Sequence, residues 1–156
     1  MLDTDIRNIF EKHKCCVIIP TYNNQNTIKE VISGCLKKCN DVWIINDGST
    51  DDTAEILTGI SNITVIHQPR NQGKGAALRR SFLEAMEAGF EHAITIDSDG
   101  QHDPNDLTVF ADALDKEQGA IYIGARNMGQ NSIPGKSKFG HKTVIGMDPS
   151  FNYAHV

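Results

Sequence analysis

A three-layer α/β/α fold built on a mainly parallel sheet is the class this sequence predicts, on three observations. Short β-branched runs recur at 15–19, 42–45, 63–66, 93–96 and 120–123, and they are almost wholly apolar, as strands covered on both faces must be. Helical stretches at 27–38, 51–60, 74–88 and 104–116 alternate with them, which implies right-handed crossovers between parallel neighbours. Each run is followed at once by polar residues or glycine, the composition of loops at the carboxyl ends of strands, where such sheets bind ligands.

Taken in order, residues 1–14 read as a helical extension with an acidic start, Met-Leu-Asp-Thr-Asp. The first strand delivers Pro20, Thr21, Tyr22, Asn23 and Asn24, and the next helix opens on a capping box, Thr27 with Glu30. The second strand ends in Asn46-Asp47-Gly48-Ser49, and Ser49 with Asp52 forms another capping box. The third runs into Asn71-Gln72-Gly73-Lys74-Gly75, which opens a helix whose Ala76, Ala77 and Leu78 permit close approach to the sheet. The fourth carries straight into Asp97-Ser98-Asp99, and Asp103-Pro104 then caps the following helix, with proline at its first position. After the fifth come Gly124-Ala125-Arg126 and, over 129–142, the glycine, serine and lysine of a mobile loop. The expected layout is a core over 15–128 and a loop with an atypical tail over 129–156.

Composition narrows the function classes. At 156 residues the chain is one domain, short for an enzyme with two substrate sites. Fifteen basic against twenty acidic residues, a formal charge of −5, argue against a nucleic-acid surface. No run reaches the length of a membrane span, and the acidic start does not resemble a signal peptide, so the expected location is cytoplasmic. Cys15, Cys16, Cys35 and Cys39 lack the spacing of a zinc or redox site and read as buried reduced thiols.

The chemistry concentrates in residues 97–103. Three carboxylates within seven positions call for a cation, and in an extended chain Asp97, Asp99 and Gln101 share one face. Such an oxygen set suits Mg²⁺ or Mn²⁺, completed by a substrate's phosphates; Asp103 is assigned to the helix cap instead. Gly73 and Lys74 begin a helix whose free amides and dipole make an anion site. Asp47 at its strand end can accept hydrogen bonds from a base or ribose, and Tyr22 can stack on a base or cover the sheet edge. The segment from Gly129 to Ser137 is not a P-loop, because five residues separate its glycines, and an EF-hand at Asp97 fails at His102 and Thr108. His102 reads as structural.

Five motifs in order, Ile18-Ile-Pro-Thr-Tyr-Asn23, Asn46-Asp-Gly-Ser-Thr-Asp51, Asn71-x-Gly-Lys-Gly-Ala-Ala-Leu-Arg79, Asp97-x-Asp-Gly-Gln-His-Asp-Pro104 and Gly124-x-Arg126, resemble those of family 2 glycosyltransferases, most nearly the polyprenyl-phosphate sugar synthases of dolichol-phosphate mannosyltransferase type. The resemblance implies a GT-A, Rossmann-like fold and inverting transfer from a UDP- or GDP-sugar to an acceptor of the lipid-phosphate kind, at the inner face of a membrane. It places Pro20, Thr21, Tyr22, Asn24, Asp47, Gly73 and Lys74 around the donor. Asp97, Asp99 and Gln101 become the metal site, and Asp97, Asp99 and Arg126 the catalytic set, with Arg126 facing the pyrophosphate or the acceptor phosphate. Asn46 and Asn24 stand where the family usually has Asp and Glu, keeping hydrogen bonding but losing charge. Family members continue well past Val156, so the expectation is a donor-binding half without a full acceptor site.

Two other readings use the same residues. In a haloacid-dehalogenase-type phosphatase Asp97 would be a nucleophile and Asp99 an acid/base, but Gln101 replaces the usual threonine and the motif follows the fourth strand rather than the first. A nucleotide-sugar-binding module without catalysis would bind donor and transfer nothing.

Overall fold

The computed structural model describes residues 1–116, 122–124 and 142–146. Its strands are β1 (Cys15–Thr21), β2 (Val42–Asn46), β3 (Ile63–His67), β4 (His92–Thr95), β5 (Tyr122–Gly124) and β6 (Lys142–Gly146). Its helices are α1 (Asp3–Lys12), α2 (Ile28–Leu36), α3 (Thr53–Thr58), α4 (Lys74–Glu87) and α5 (Leu107–Lys116), the last preceded by a 3-10 turn at Pro104–Asp106. One sheet runs in the order β3-β2-β1-β4-β6-β5, parallel across the first four strands and antiparallel at the β4–β6 and β6–β5 pairings.

Every residue of β1 is buried, and its side chains alternate between two cores. Cys15, Val17 and Ile19 join Ile6 and Phe10 of α1, Ile28, Val31 and Ile32 of α2, and Leu107 and Phe110 of α5. Cys16 and Ile18 face the other way, against Ala77, Phe82 and Ala85 of α4, where Trp43 also meets Phe90 edge to face at 5.8 Å. Helices on both faces explain why the central strand β1 is buried along its whole length rather than on alternate residues, whereas the edge strand β3 leaves Thr64 and His67 exposed. All four cysteines are free and buried, as their spacing predicts. Burial raises the Cys15 and Cys16 thiols and lifts Cys39 to about 12.

Both expected capping boxes are absent, for one reason: their side chains are used between loops. Thr27 sits at the N-cap of α2, yet its hydroxyl donates to the Ser98 carbonyl at 2.6 Å. Ser49 Oγ accepts from the Asn23 amide at 3.0 Å, and α3 starts four residues later, with Asp51 accepting from the Thr53 amide at 2.9 Å. Asp103 does cap as expected, accepting from the Asn105 amide at 2.9 Å. Residues 1–14 hold the expected helix, and Arg7 on it donates to the Leu36 and Lys37 carbonyls at 2.8 and 3.1 Å, closing the C-terminal end of α2.

β6 falls within the stretch 129–156 assigned from sequence to loop and tail, and it is inserted between β4 and β5. Lys-Thr-Val-Ile-Gly has the β-branched composition of a strand, a local signal outweighed in the sequence by the glycine- and lysine-rich stretch before it. Arg126 and the remainder of 125–141 and 147–156 lie outside the described residues.

Candidate functional site

Where β1, β2 and β4 end, the chain turns away and leaves a cleft of about 330 Å³. Pro20, Thr21, Tyr22 and Asn24 line it after β1, Asp47 after β2, Asn71, Lys74 and Ala77 at the start of α4, and Asp97, Ser98 and Asp99 after β4. Residues separated by nearly eighty positions thus converge because four parallel strands end side by side.

Asp97 and Asp99 share the cleft, but not by the expected extended geometry. β4 stops at Thr95, residues 98–99 form a turn and Gly100 adopts φ +76°, so the chain bends instead of presenting alternate side chains to one point. Gln101 is exposed, and it reaches Asp99 through its backbone, the amide donating to Oδ1 at 2.9 Å. Two carboxylates on an open cleft fit a divalent cation that keeps water or phosphate oxygens in its remaining positions. Among the described residues no group of three or more histidines, cysteines and acids is arranged to hold a metal by itself.

Asp97 is the more constrained carboxylate. His102, itself buried, places Nε2 3.6 Å from Oδ2, and Lys74 Nζ lies 2.5 Å from Oδ1. Together they outweigh partial burial and hold its pKa down at about 2, against a usual 3.8. His102, read as structural from sequence, therefore touches the site through Asp97.

Asp47 is 3 % exposed, and its carboxylate is already engaged. Oδ1 accepts from Gln68 Nε2 at 2.6 Å and the Gln72 amide at 2.8 Å, while Oδ2 accepts from the Gly73 amide at 2.8 Å. A carboxylate offers about four acceptor positions, so about one remains for a ligand. Two amides of the expected anion loop therefore bind this chain's own carboxylate, and the loop in turn fixes the backbone next to Lys74. Gly73 has φ +92° and lies at the N-cap of α4, outside the cleft wall. Gly48 permits the whole approach: a Cβ there would stand 2.6 Å from Arg70 Cα and Asn71 N.

Asn24 and Thr27 tie the first loop to the carboxylate turn. Asn24 Nδ2 donates to Ser98 Oγ at 2.8 Å and to the Tyr22 carbonyl at 3.1 Å, and Thr27 adds its bond to the Ser98 carbonyl. Asn46 is a turn builder, with Oδ1 accepting from the Ser49 amide at 3.0 Å and Nδ2 lying 3.2 Å from His67 Nδ1. Tyr22 stands at the cleft with 43 % of its surface exposed. Ser98, Gln68 and Gln72 lie in the post-strand segments where the sequence points to function, but their roles depend on partners in other loops and bore no local signal.

Residues 16–147 match the model of glycosyl transferase family 2. The UDP-N-acetylglucosamine–dolichyl-phosphate N-acetylglucosaminyltransferase of Methanococcus voltae is 28 % identical over 127 residues, which cover 70 % of this chain and 51 % of that protein. The polyprenol monophosphomannose synthase of Mycolicibacterium smegmatis is 32 % identical over 118 residues, covering 70 % and 44 %. The chain thus spans about half the length of the curated relatives it matches. Among solved structures, glucosyl-3-phosphoglycerate synthase from Mycobacterium tuberculosis in complex with Mn²⁺, UDP and phosphoglyceric acid superposes with a TM-score of 0.59 at 26 % identity, over 75 % of this chain and 44 % of that one. Staphylococcus aureus TarS 1–349 has the same fold, with a TM-score of 0.60 at 23 % identity over 77 % and 38 %.

Proposed function

Because this chain belongs to glycosyl transferase family 2, we propose that its cleft binds a UDP-sugar and that the protein transfers the sugar, with inversion, to a polyprenyl phosphate. The observation that carries the reading is a cleft at the strand ends lined by Asp97, Asp99 and Lys74, with the Lys74 ammonium bound to Asp97. The UDP and Mn²⁺ bound by the mycobacterial synthase, and the dolichyl- and polyprenol-phosphate acceptors in the names of the relatives, support the choice of donor and acceptor.

An acceptor phosphate oxygen is already anionic, so its attack on the anomeric carbon requires no strong general base. The bond from that carbon to the β-phosphate oxygen breaks, its electron pair leaves with UDP, and negative charge grows on the diphosphate. Lys74, 58 % exposed at its side chain and rooted in the first turn of α4, can reach that charge. Asp97 and Asp99 are the residues that would hold Mg²⁺ or Mn²⁺, which supplies Lewis-acid stabilisation of the leaving group when bound. Tyr22 offers a ring face to the base, and the remaining acceptor position of Asp47 a contact to base or ribose. Gln101 is proposed as a further metal contact and Arg126 as a partner of the pyrophosphate or acceptor phosphate. Among the described residues no helix is long and apolar enough to cross a membrane. A cytoplasmic protein meeting its lipid acceptor at the inner membrane face fits that chemistry.

Calorimetric titration with UDP-, GDP- and dTDP-sugars, with and without Mn²⁺, tests the reading. Expected is binding of a UDP-sugar that needs Mn²⁺ and is lost in Asp99→Ala. Absence of binding, or binding indifferent to both metal and Asp99, overturns it. Binding with no transfer to a polyprenyl phosphate assigns the chain to nucleotide-sugar binding alone.

A further inference from the structure

Lys74 and a divalent cation claim the same carboxylate. Nζ lies 2.5 Å from Asp97 Oδ1, and the other oxygen faces His102 at 3.6 Å. We propose that Lys74 is a stand-in cation, which neutralises Asp97 until metal and nucleotide arrive together and then moves to the diphosphate. This rests on the cleft being the donor site.

Three features support the exchange. Asp97 is the fixed partner, with its side chain 23 % exposed, while that of Lys74 is 58 % exposed. The backbone beside Lys74 is anchored, because Asp47 holds the Gln72 and Gly73 amides, so the long side chain can swing with its Cα in place. Finally, an ammonium at hydrogen-bond distance from Oδ1 and a dication on the same oxygen repel each other, so metal entry displaces Lys74 into the cleft, where a diphosphate offers the nearest new anion. Either ligand alone breaks an ion pair and leaves a charge uncompensated; both together exchange one pair for two. Metal and nucleotide therefore bind with positive coupling, felt equally by each.

The experiment is titration with Mn²⁺ of the wild-type protein, Lys74→Met, Lys74→Arg and Asp97→Asn, following free Mn²⁺ by electron paramagnetic resonance, first without nucleotide and then with UDP. Without nucleotide, Lys74→Met binds Mn²⁺ roughly three- to fivefold more tightly than wild type, the scale of a partly exposed ion pair. Lys74→Arg stays close to wild type, and Asp97→Asn loses the site. With UDP present, the gain in Mn²⁺ affinity seen for the wild type shrinks in Lys74→Met. Equal or weaker Mn²⁺ binding by Lys74→Met, or no measurable binding by either protein, overturns the proposal. If the Mn²⁺ difference appears and UDP binds none of the proteins, the competition for Asp97 stands and the donor assignment falls.

Discussion

Asp97 is the anchor for both Lys74 and His102, and it is also the carboxylate we propose to meet a cation. A carboxyl group held at about 2 instead of 3.8 binds fewer protons in the folded than in the unfolded chain. Its stabilising contribution is therefore complete above pH 3.8 and is lost as pH falls through the interval down to about 2. The size is about 2 kcal/mol. Urea unfolding of Asp97→Asn followed from pH 6 to pH 2 is expected to lack that part of the acid slope, and a slope identical to wild type would contradict the ion-pair account. Asp97 and Asp99 were legible as candidates because neither caps a helix and both follow an apolar run. The roles of His102 and Ser98 were not, since each depends on a partner reached only after the loops fold together.

Loops after strands do most of the building at the scale of elements. β2 ends in Asp47, whose carboxylate gathers Gln68 and the Gln72 and Gly73 amides, and Gly48 lets the 70–71 backbone come close enough for it to do so. At Gly48 φ is +70° and a Cβ would collide with backbone, so Gly48→Ala must both strain and displace the loop. The expected cost is about 2–3 kcal/mol of stability, with weaker UDP binding because Lys74 loses its fixed base. Chemical denaturation and nucleotide titration of the same variant check both halves. In sequence, Asp47 read as an acceptor for a base or ribose; most of its acceptor capacity goes instead to partners more than twenty residues on. The capping boxes at Thr27 and Ser49 failed for the same reason: local hydroxyls that could cap were taken by a neighbouring loop.

The whole molecule is a sheet with two cores, and α1 closes the larger one. Phe10 is 1 % exposed among residues of β1, α2 and α5. Phe10→Ala is expected to cost about 3–5 kcal/mol, seen as a lower urea midpoint with an unchanged slope. If the midpoint held, α1 would not belong to the cooperative unit. The layer order is already written in local pattern, because apolar β-branched runs alternating with amphipathic helices leave a parallel, doubly covered sheet as the natural solution. Polar residues directly after such strands all emerge at one end, so the place of the cleft is legible in the chain as well. Which of those residues meet is settled by the packed chain: Asp47 holds a loop, Lys74 holds Asp97, and β6 enters the sheet between β4 and β5. Those facts depend on distances between segments far apart in the chain, and such distances are set by the packing of both cores rather than by any stretch of neighbouring residues.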